Sequence, residues 1–300
     1  MQADAQFQKA FCDILMKDAV IIIPHRDDSL RLLRCLAVLQ PGLPEGVGVV
    51  VVDNGSAEDV AGLLAEAHPE VRVLREARPG AAMARNAGVA ATSEERLIFL
   101  DADCVPEPGW LAAALAEGSR ADLVGGAVSV FDEPPIGTGA QGFEQVFAFD
   151  NRAYVAMGFS VTANLTTTRR VFDAVGPFRA AVSEDKEWCL RARAAGFSIA
   201  YAADMLVAHP SRGDWSALAR KWRRLTEEGY ALHRAQGRGP LRWAIRALAM
   251  PISALVHTPR VLLSDRLQGP RQRAATLATL WRLRCTRMFW MLGQLLSRAS

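Results

Sequence analysis

In its first hundred residues the chain alternates short, almost wholly apolar runs with longer stretches of mixed polarity. Ala19-Val20-Ile21-Ile22-Ile23-Pro24, Val47 to Val52 and Leu97-Ile98-Phe99-Leu100 lack polar alternation, the mark of strands buried on both faces of a parallel sheet. Val71-Arg72-Val73-Leu74 reads as a shorter strand. Leu32, Leu33, Leu36 and Leu39 recur at helical spacing, which predicts a helix over Leu30–Leu39 capped by Ser29. A second helix is expected to run to about His68, with Asp53-Asn54-Gly55-Ser56 as the turn and cap before it. A third covers the alanine-rich stretch from Ala81 to Ala91, and residues 1–17 read as a short helical lead-in. Such strand–helix alternation predicts a parallel α/β sheet. Right-handed crossovers then set the carboxyl ends of the strands along one edge.

Three of those ends carry acids: Pro24 to Asp28, Asp53 to Ser56, and Asp101-Ala102-Asp103. Ligands of open α/β sheets bind along that edge, and an Asp-x-Asp there can offer hard oxygen ligands to Mg²⁺ or Mn²⁺. The tripeptide alone is common in solvated loops; its place at the third of three acidic strand ends gives it weight. The loop after the first strand, His25-Arg26-Asp27-Asp28-Ser29, has no glycine-rich phosphate cradle of the dinucleotide or P-loop kind. This argues against a dehydrogenase and an NTPase.

Beyond Asp103 the order of elements becomes mixed. Helices are expected from Trp110 to Glu117, within Gln141 to Met157, over Arg169 to Val175, and from Ser183-Glu184-Asp185 to Ala195. Strands are expected from Asp122 to Val130, Val161 to Leu165, Ser198 to Ala202 and Met205 to Ala208, the last ending at His209-Pro210.

Five segments, read together and in order, resemble the family 2 glycosyltransferases of the GT-A fold. They are Val20-Ile21-Ile22-Ile23-Pro24, Val51-Val52-Asp53-Asn54-Gly55-Ser56, Gly80 through Arg85-Asn86-Ala87-Gly88, Phe99-Leu100-Asp101-Ala102-Asp103, and Ser183-Glu184-Asp185 with Arg191 and Ala195-Gly196-Phe197 behind it. The resemblance covers roughly residues 18–212. It implies a Rossmann-like mixed sheet flanked by helices and an inverting, metal-assisted sugar transfer from a nucleoside-diphosphate sugar, most often a UDP-sugar. It also implies nucleotide-sugar contacts at Pro24, Asp27, Asp53, Arg85, Asp101 and Asp103. Asp103 and His209 would ligate Mn²⁺ or Mg²⁺, and Glu184-Asp185 would hold the catalytic base, with Asp185 preferred. The chain departs from the family after Pro24, where His25-Arg26-Asp27 replaces the usual Thr-Tyr-Asn and puts Arg26 at the base-stacking position.

The chemistry explains those residue types. The leaving diphosphate gains negative charge, which a bound cation neutralises, while a carboxylate takes the acceptor's proton. One carboxylate suffices for a single inversion. At a helix N-terminus the dipole is expected to keep Glu184-Asp185 ionised.

Composition bounds the rest. Three hundred residues, 50% hydrophobic and 22% charged, are enough for a sizeable core. Five scattered cysteines without a Cys-x-x-Cys pair argue against a disulfide framework or zinc site and suit a cytoplasmic protein. Residues 1–17 show no signal-peptide pattern and no apolar run reaches spanning length, so no transmembrane helix is expected. Net charge is +3 overall, yet residues 239–300 hold ten Arg, no Lys and one acid, Asp265. That segment is +9 and the remainder −6.

The pattern therefore predicts a GT-A domain over 1–212 and a basic helical extension over 213–300. The extension would contain helices over Trp215 to Arg234, Leu241 to Leu263 and Arg271 to Ala299. In the last of these, Arg273, Arg284, Arg287 and Arg298 share one face, while Leu277, Trp281, Met288, Trp290, Leu292 and Leu296 make most of the circumference apolar. Such a helix must be covered by the catalytic domain, by a second subunit, or by the cytoplasmic face of an anionic membrane. Nucleic acid matches the charge alone and is not an expected partner. The function read here is transfer to a glycan or lipid-linked acceptor. Two alternatives stand beside it: a non-catalytic, membrane-associated sugar-nucleotide-binding subunit, and a sugar-phosphate nucleotidyltransferase.

Overall fold

The computed structural model describes residues 18–180 and 183–296; the expected lead-in helix over 1–17 lies outside them. The strands are β1 (Ala19–His25), β2 (Val47–Asp53), β3 (Arg72–Arg75), β4 (Arg96–Leu100), β5 (Val105–Pro106), β6 (Leu123–Phe131), β7 (Asn164–Thr168) and β8 (Ile199–Pro210). They form one sheet in the order β3-β2-β1-β4-β7-β6-β8-β5. β3, β2, β1 and β4 run parallel, whereas β7 is antiparallel to both β4 and β6, and β5 to β8. The mixed sheet with flanking helices matches the expected fold class.

The helices of the sheet region are α1 (Ser29–Leu39), α2 (Val60–Ala67), α3 (Ala81–Ala90), α4 (Trp110–Glu117), α6 (Asn151–Ala156), α7 (Arg169–Val175) and α8 (Glu184–Ala194). Their apolar stripes cover both sheet faces. Ile21, Ile23, Val51, Ile98 and Leu100 pack with Leu32 and Leu36 of α1, Leu64 of α2 and Trp110 of α4. Val20, Ile22, Val52, Leu97 and Phe99 pack with Ala84 of α3, Val171 of α7 and Trp188 of α8. This two-sided burial explains the unbroken apolar runs of β1, β2 and β4. At Gly88 of α3, a Cβ would stand 2.5 Å from Ile22 Cγ2, so only glycine lets α3 lie this close to β1.

Several boundaries differ from the pattern, each for a local reason. Ser29 is the first residue of α1, not its cap; its hydroxyl bonds the Glu58 carboxylate, and Asp28 stands at the cap position. Asp59, not Ser56, caps α2 through Gly62 N at 3.0 Å. β7 begins at Asn164, three residues later than expected, because the fully buried Asn164 side chain bonds Ala127 O, Met205 O and Trp110 Nε1. The two strands expected over 198–208 are one strand, β8.

The described chain divides into two compact units. The first runs to Ser129 and resumes over Asp150–Ala180 and Glu184–His209. The second contains Val130–Phe149 together with Pro210 onward. The stretch 130–149, expected within the catalytic domain, thus groups with the C-terminal helices. The second unit comprises α5 (Gly139–Phe147), α9 (Trp215–Ala235), α10 (Pro240–Leu248), α11 (Met250–Leu262) and α12 (Gly269–Leu296). Phe143, Val146, Leu218, Ala254, Val261, Leu280 and Leu283 form its core. A Cβ at Gly142 would meet Thr276 Oγ1 at 2.0 Å, so α5 and α12 also approach through a glycine. Buried Glu144 accepts from Lys221 Nζ at 2.5 Å and Arg212 N at 2.7 Å. Burial alone would raise its pKa, but these two cations hold it below the usual range.

α12 is the hub of this unit. Leu280, Leu283, Arg287 and Met291 are buried. Arg273 donates to the carbonyls of Leu262, Ser264 and Leu267. The arginine stripe is turned inward over its described part, and Arg298 lies outside the described residues. Open apolar surface lies on α10 and α11, where Leu241, Ile245, Leu248, Ile252, Leu255 and Val256 are exposed, and on α12 at Trp281, Phe289 and Leu296.

Candidate active site

The site lies in the first unit, at the carboxyl edge of the parallel strands. β1 ends at Pro24-His25, in register with Val52 and Asp53 of β2. The chain turns at Asp27, whose φ of 50° is in the left-handed region that Asp tolerates better than most residues. Asp27 N donates to Ser56 Oγ at 2.9 Å, Ala57 N to Asp27 Oδ1 at 2.7 Å, and Ser56 N to Asp53 Oδ1 at 2.9 Å. These bonds clasp the first two acidic loops together. Asn54 extends the clasp by donating to Glu76 O and Arg78 O and accepting from Gly80 N. A cleft of about 360 Å³, lined in part by Asp53, Ser56, Glu58, Leu74 and Arg75, opens beside it.

His25 is a residue that pattern reading passed over except as a departure. It is 2% exposed, and neither ring nitrogen has a partner. Burial lowers its pKa against the pull of Asp53 and Asp28, so it is held as a neutral imidazole. Arg26, by contrast, projects outward, with its Nε 3.5 Å from Asp27.

At the third strand end, Asp101 follows β4 and accepts from Arg85 Nη2 at 2.6 Å. Arg85 Nη1 donates to Glu184 Oε1 at 3.2 Å. The arginine is 3% exposed; burial disfavours its charge, but Asp101 and Glu184 outweigh that and raise its pKa. Asn86 does not face solvent: its amide exchanges two 2.9 Å bonds with the backbone of Phe178. Trp188 Nε1 bonds Gly176 O, and Arg191 bonds the carbonyls of Val175 and Pro177. Together these bonds tie residues 175–178 to α3 and α8.

Asp185 accepts from Lys186 N at 2.6 Å. The expected effect of the helix dipole is overridden here. Desolvation of the carboxyl by burial and the adjacent Glu184 charge raise its pKa to about 6. Asp103 lies two residues beyond Asp101 in the same loop. Pairing of Val105 with Ala208 brings Asp103 Oδ2 to 3.3 Å from His209 Nε2. Among the described residues no cluster of three or more His, Cys, Asp or Glu side chains is positioned to hold a metal. Asp103 and His209 form a two-residue oxygen-and-nitrogen pair. Such a pair fits Mn²⁺, with Mg²⁺ also served by the carboxylate, provided that ligand oxygens and water complete the shell.

Residues 20–184 match the model of the family described as Glycosyl transferase family 2. The chain is a family 2 glycosyltransferase. This glycosyltransferase is 32% identical over 214 residues to glycosyltransferase AglE of Haloferax volcanii, covering 68% of the chain and 70% of that relative. It is 36% identical over 105 residues to the pre-mycofactocin glycosyltransferase of Mycobacterium tuberculosis, a third of the chain but only 20% of that protein. In fold it is similar to the mannosyltransferase PcManGT from Pyrobaculum calidifontis, solved with GDP-Man and Mn²⁺, with a TM-score of 0.57, 20% identity, and coverage of 92% and 85% of the two chains. It is also similar to GalNAc-T7, solved with UDP, GalNAc and Mn²⁺, with a TM-score of 0.51, 17% identity, and coverage of 69% and 47%. No described helix of the glycosyltransferase is long and apolar enough to cross a membrane.

Proposed function

We propose that this glycosyltransferase moves a sugar, with inversion, from a nucleoside-diphosphate donor to a hydroxyl of a glycan or lipid-linked acceptor. The observation that carries the reading is the convergence of Asp101, Arg85 and Glu184 with the Asp103–His209 pair at one sheet edge. Asp27 and Asp53 bind the nucleoside, next to Pro24 and the neutral imidazole of His25. On the family resemblance the donor is a UDP-sugar. Asp103 and His209 hold a divalent cation, which when bound neutralises the charge of the departing diphosphate.

Asp185 takes the acceptor proton. A base whose pKa is about 6 is ionised at neutral pH yet basic enough to accept a proton in the transition state. Arg85 pairs with Asp101 and Glu184 and keeps them apart from that task. The exposed apolar face of α10 and α11, which carry Arg242, Arg246 and Arg260 and no acid, rests on an anionic membrane surface as a peripheral contact. This supports a lipid-linked acceptor.

The test is calorimetric titration with UDP, GDP and dTDP, with and without Mn²⁺, on wild type and Asp103→Ala. One nucleotide bound tightly, dependent on both Mn²⁺ and Asp103, names the donor class. Absence of metal-dependent binding to all three would put the non-catalytic reading ahead. Turnover of a sugar 1-phosphate with a nucleoside triphosphate would instead reveal the nucleotidyltransferase.

A further inference from the structure

Among the described residues of the second unit, two arginines pack on one tryptophan with no acid paired to them. Arg284 and Arg287 lie one turn apart on α12, and their guanidinium carbons stand 6.0 Å and 4.4 Å from the ring centre of Trp222 on α9. Arg287 is 8% exposed, and its one hydrogen bond among the described residues runs from Nε to Thr226 Oγ1 at 3.3 Å. Arg284 Nε is buried without a hydrogen-bond partner, and so is Trp222 Nε1. No carboxylate of the described residues pairs with either arginine. Arg246 of α10, stacked on Trp243 at 5.5 Å, adds a third positive charge that Arg287 feels. The only acid in residues 239–300 is Asp265.

This arrangement is costly as it stands. A buried guanidinium needs a counter-charge or a full set of acceptors, and removal from water without them is strongly unfavourable. Its cost is visible in Arg287, whose pKa burial and the two neighbouring arginines pull down to about 9. A purely structural role would be served as well by Leu or Met against Trp222. What two guanidinium groups packed on one indole ring offer, with that ring's own unpartnered N–H, is a set of donors around a single side chain. Arginine forks match the oxygens of a phosphate group, which accepts from several directions and carries enough charge to offset more than one cation. A neutral sugar would leave the charges uncompensated.

We propose that Arg284, Arg287 and Trp222, with Arg246 at the rim, form a phosphate-binding site in the second unit. It shares no residue with the donor site of the first unit and stands on contacts within the second unit alone, so it survives or fails independently of the donor reading. A phosphate of a lipid headgroup and a free phosphate on a soluble molecule would present the same oxygens.

Thermal unfolding of the full chain in inorganic phosphate, against chloride at equal ionic strength, tests the site. Wild type should gain about 2–4 °C at phosphate well above its dissociation constant. The Arg284→Met, Arg287→Met double variant should lose that gain while melting no lower than wild type in chloride, because apolar side chains replace uncompensated charges. Arg287→Lys, which keeps the charge without the fork, should retain only part of it and covers the case in which the double variant does not fold. Phosphate taken up elsewhere would shift wild type and variants equally, and that result overturns the proposal. Flotation with phosphatidylcholine vesicles containing phosphatidic acid separates the sources. Vesicle binding lost in the arginine variants assigns the site to a lipid headgroup, whereas a phosphate shift with variant-independent flotation assigns it to a soluble phosphate. Neither a phosphate shift nor variant-sensitive vesicle binding also overturns it.

Discussion

Arg85 joins Asp101 to Glu184 with a single guanidinium, at 2.6 Å and 3.2 Å. The two acids are 83 positions apart in sequence (101 and 184), one at the end of β4 and the other opening α8. One side chain of α3 therefore ties the acid at the end of β4 to Glu184, the residue directly before the proposed base Asp185.

Arg85→Lys should accordingly lower kcat/KM by about 10²-fold or more, because one ammonium cannot span both acids in the geometry of the fork. The loss should divide between KM for the donor and kcat, since both partners move. Arg85→Met leaves two acids facing each other without a cation and should also melt lower, by about 3 kcal/mol in stability. Steady-state kinetics with denaturant unfolding measures both. Unchanged kinetics in Arg85→Lys would show that the bridge does not position the site.

The Asp185 carboxyl gives the enzyme a pH signature. With a pKa of about 6, the rate should be flat above pH 7 and fall about tenfold per unit below 6 as the base is protonated. Stability should run the opposite way. The ordinary value is 3.8, so the raised folded-state pKa favours folding of the protonated form. That contribution is complete below about pH 4 and lost as pH rises through 6. Asp185→Asn, which cannot ionise, should be inactive yet more stable at pH 7 by about 1–2 kcal/mol, less than full desolvation would give because the residue retains some solvent access. A pH–rate profile and a melting series at pH 4, 6 and 8 decide it. An Asp185→Asn variant that keeps its activity would move the base to Glu184.

The Asp103–His209 pair predicts metal dependence with graded sensitivity. Chelation should reduce turnover to background, and Mn²⁺ should restore it. His209→Gln keeps a hydrogen-bonding side chain but removes the nitrogen ligand, and should raise the Mn²⁺ needed for half-activity about 10-fold or more. Asp103→Ala should not be rescued at any practical concentration. Equal metal requirement in wild type and His209→Gln would remove His209 from the cation site.

What could be read in advance followed from burial. β1, β2 and β4 are covered on both faces, so their unbroken apolar runs marked them, and the acids at their ends marked the site edge. Arg191 and Asn86 were visible as motif residues, but their work, holding the segment before α8 through backbone bonds, is a property of side-chain direction that spacing does not encode. The same holds for Arg85, whose two partners come from distant parts of the chain. The start of β7 was misplaced because Val161-Thr162 looks like a strand, while the bonds of the Asn164 amide set the actual register. On α12 the arginine stripe was legible, but not its inward direction. A helix surrounded by others reads in sequence much like one lying on a bilayer, apolar nearly all round.

The exposed residues of α11 carry the membrane reading to a decisive test. Ile252, Leu255 and Val256 are 65%, 63% and 68% exposed, whereas Ala254 between them is fully buried. Leu255→Ser with Val256→Ser thus alters the open surface and leaves the buried contact intact, so the melting temperature should change little. Loss of two apolar side chains from an interfacial face removes about 3–5 kcal/mol of burial, enough to lower partitioning onto anionic vesicles more than 100-fold. Turnover of a water-soluble acceptor should be unaffected, and turnover of a vesicle-borne acceptor should fall in step with binding. If the variant instead binds vesicles normally but shifts from a dimer to a monomer in light scattering, a second copy of the chain covers this face, and membrane contact through α10 and α11 is ruled out.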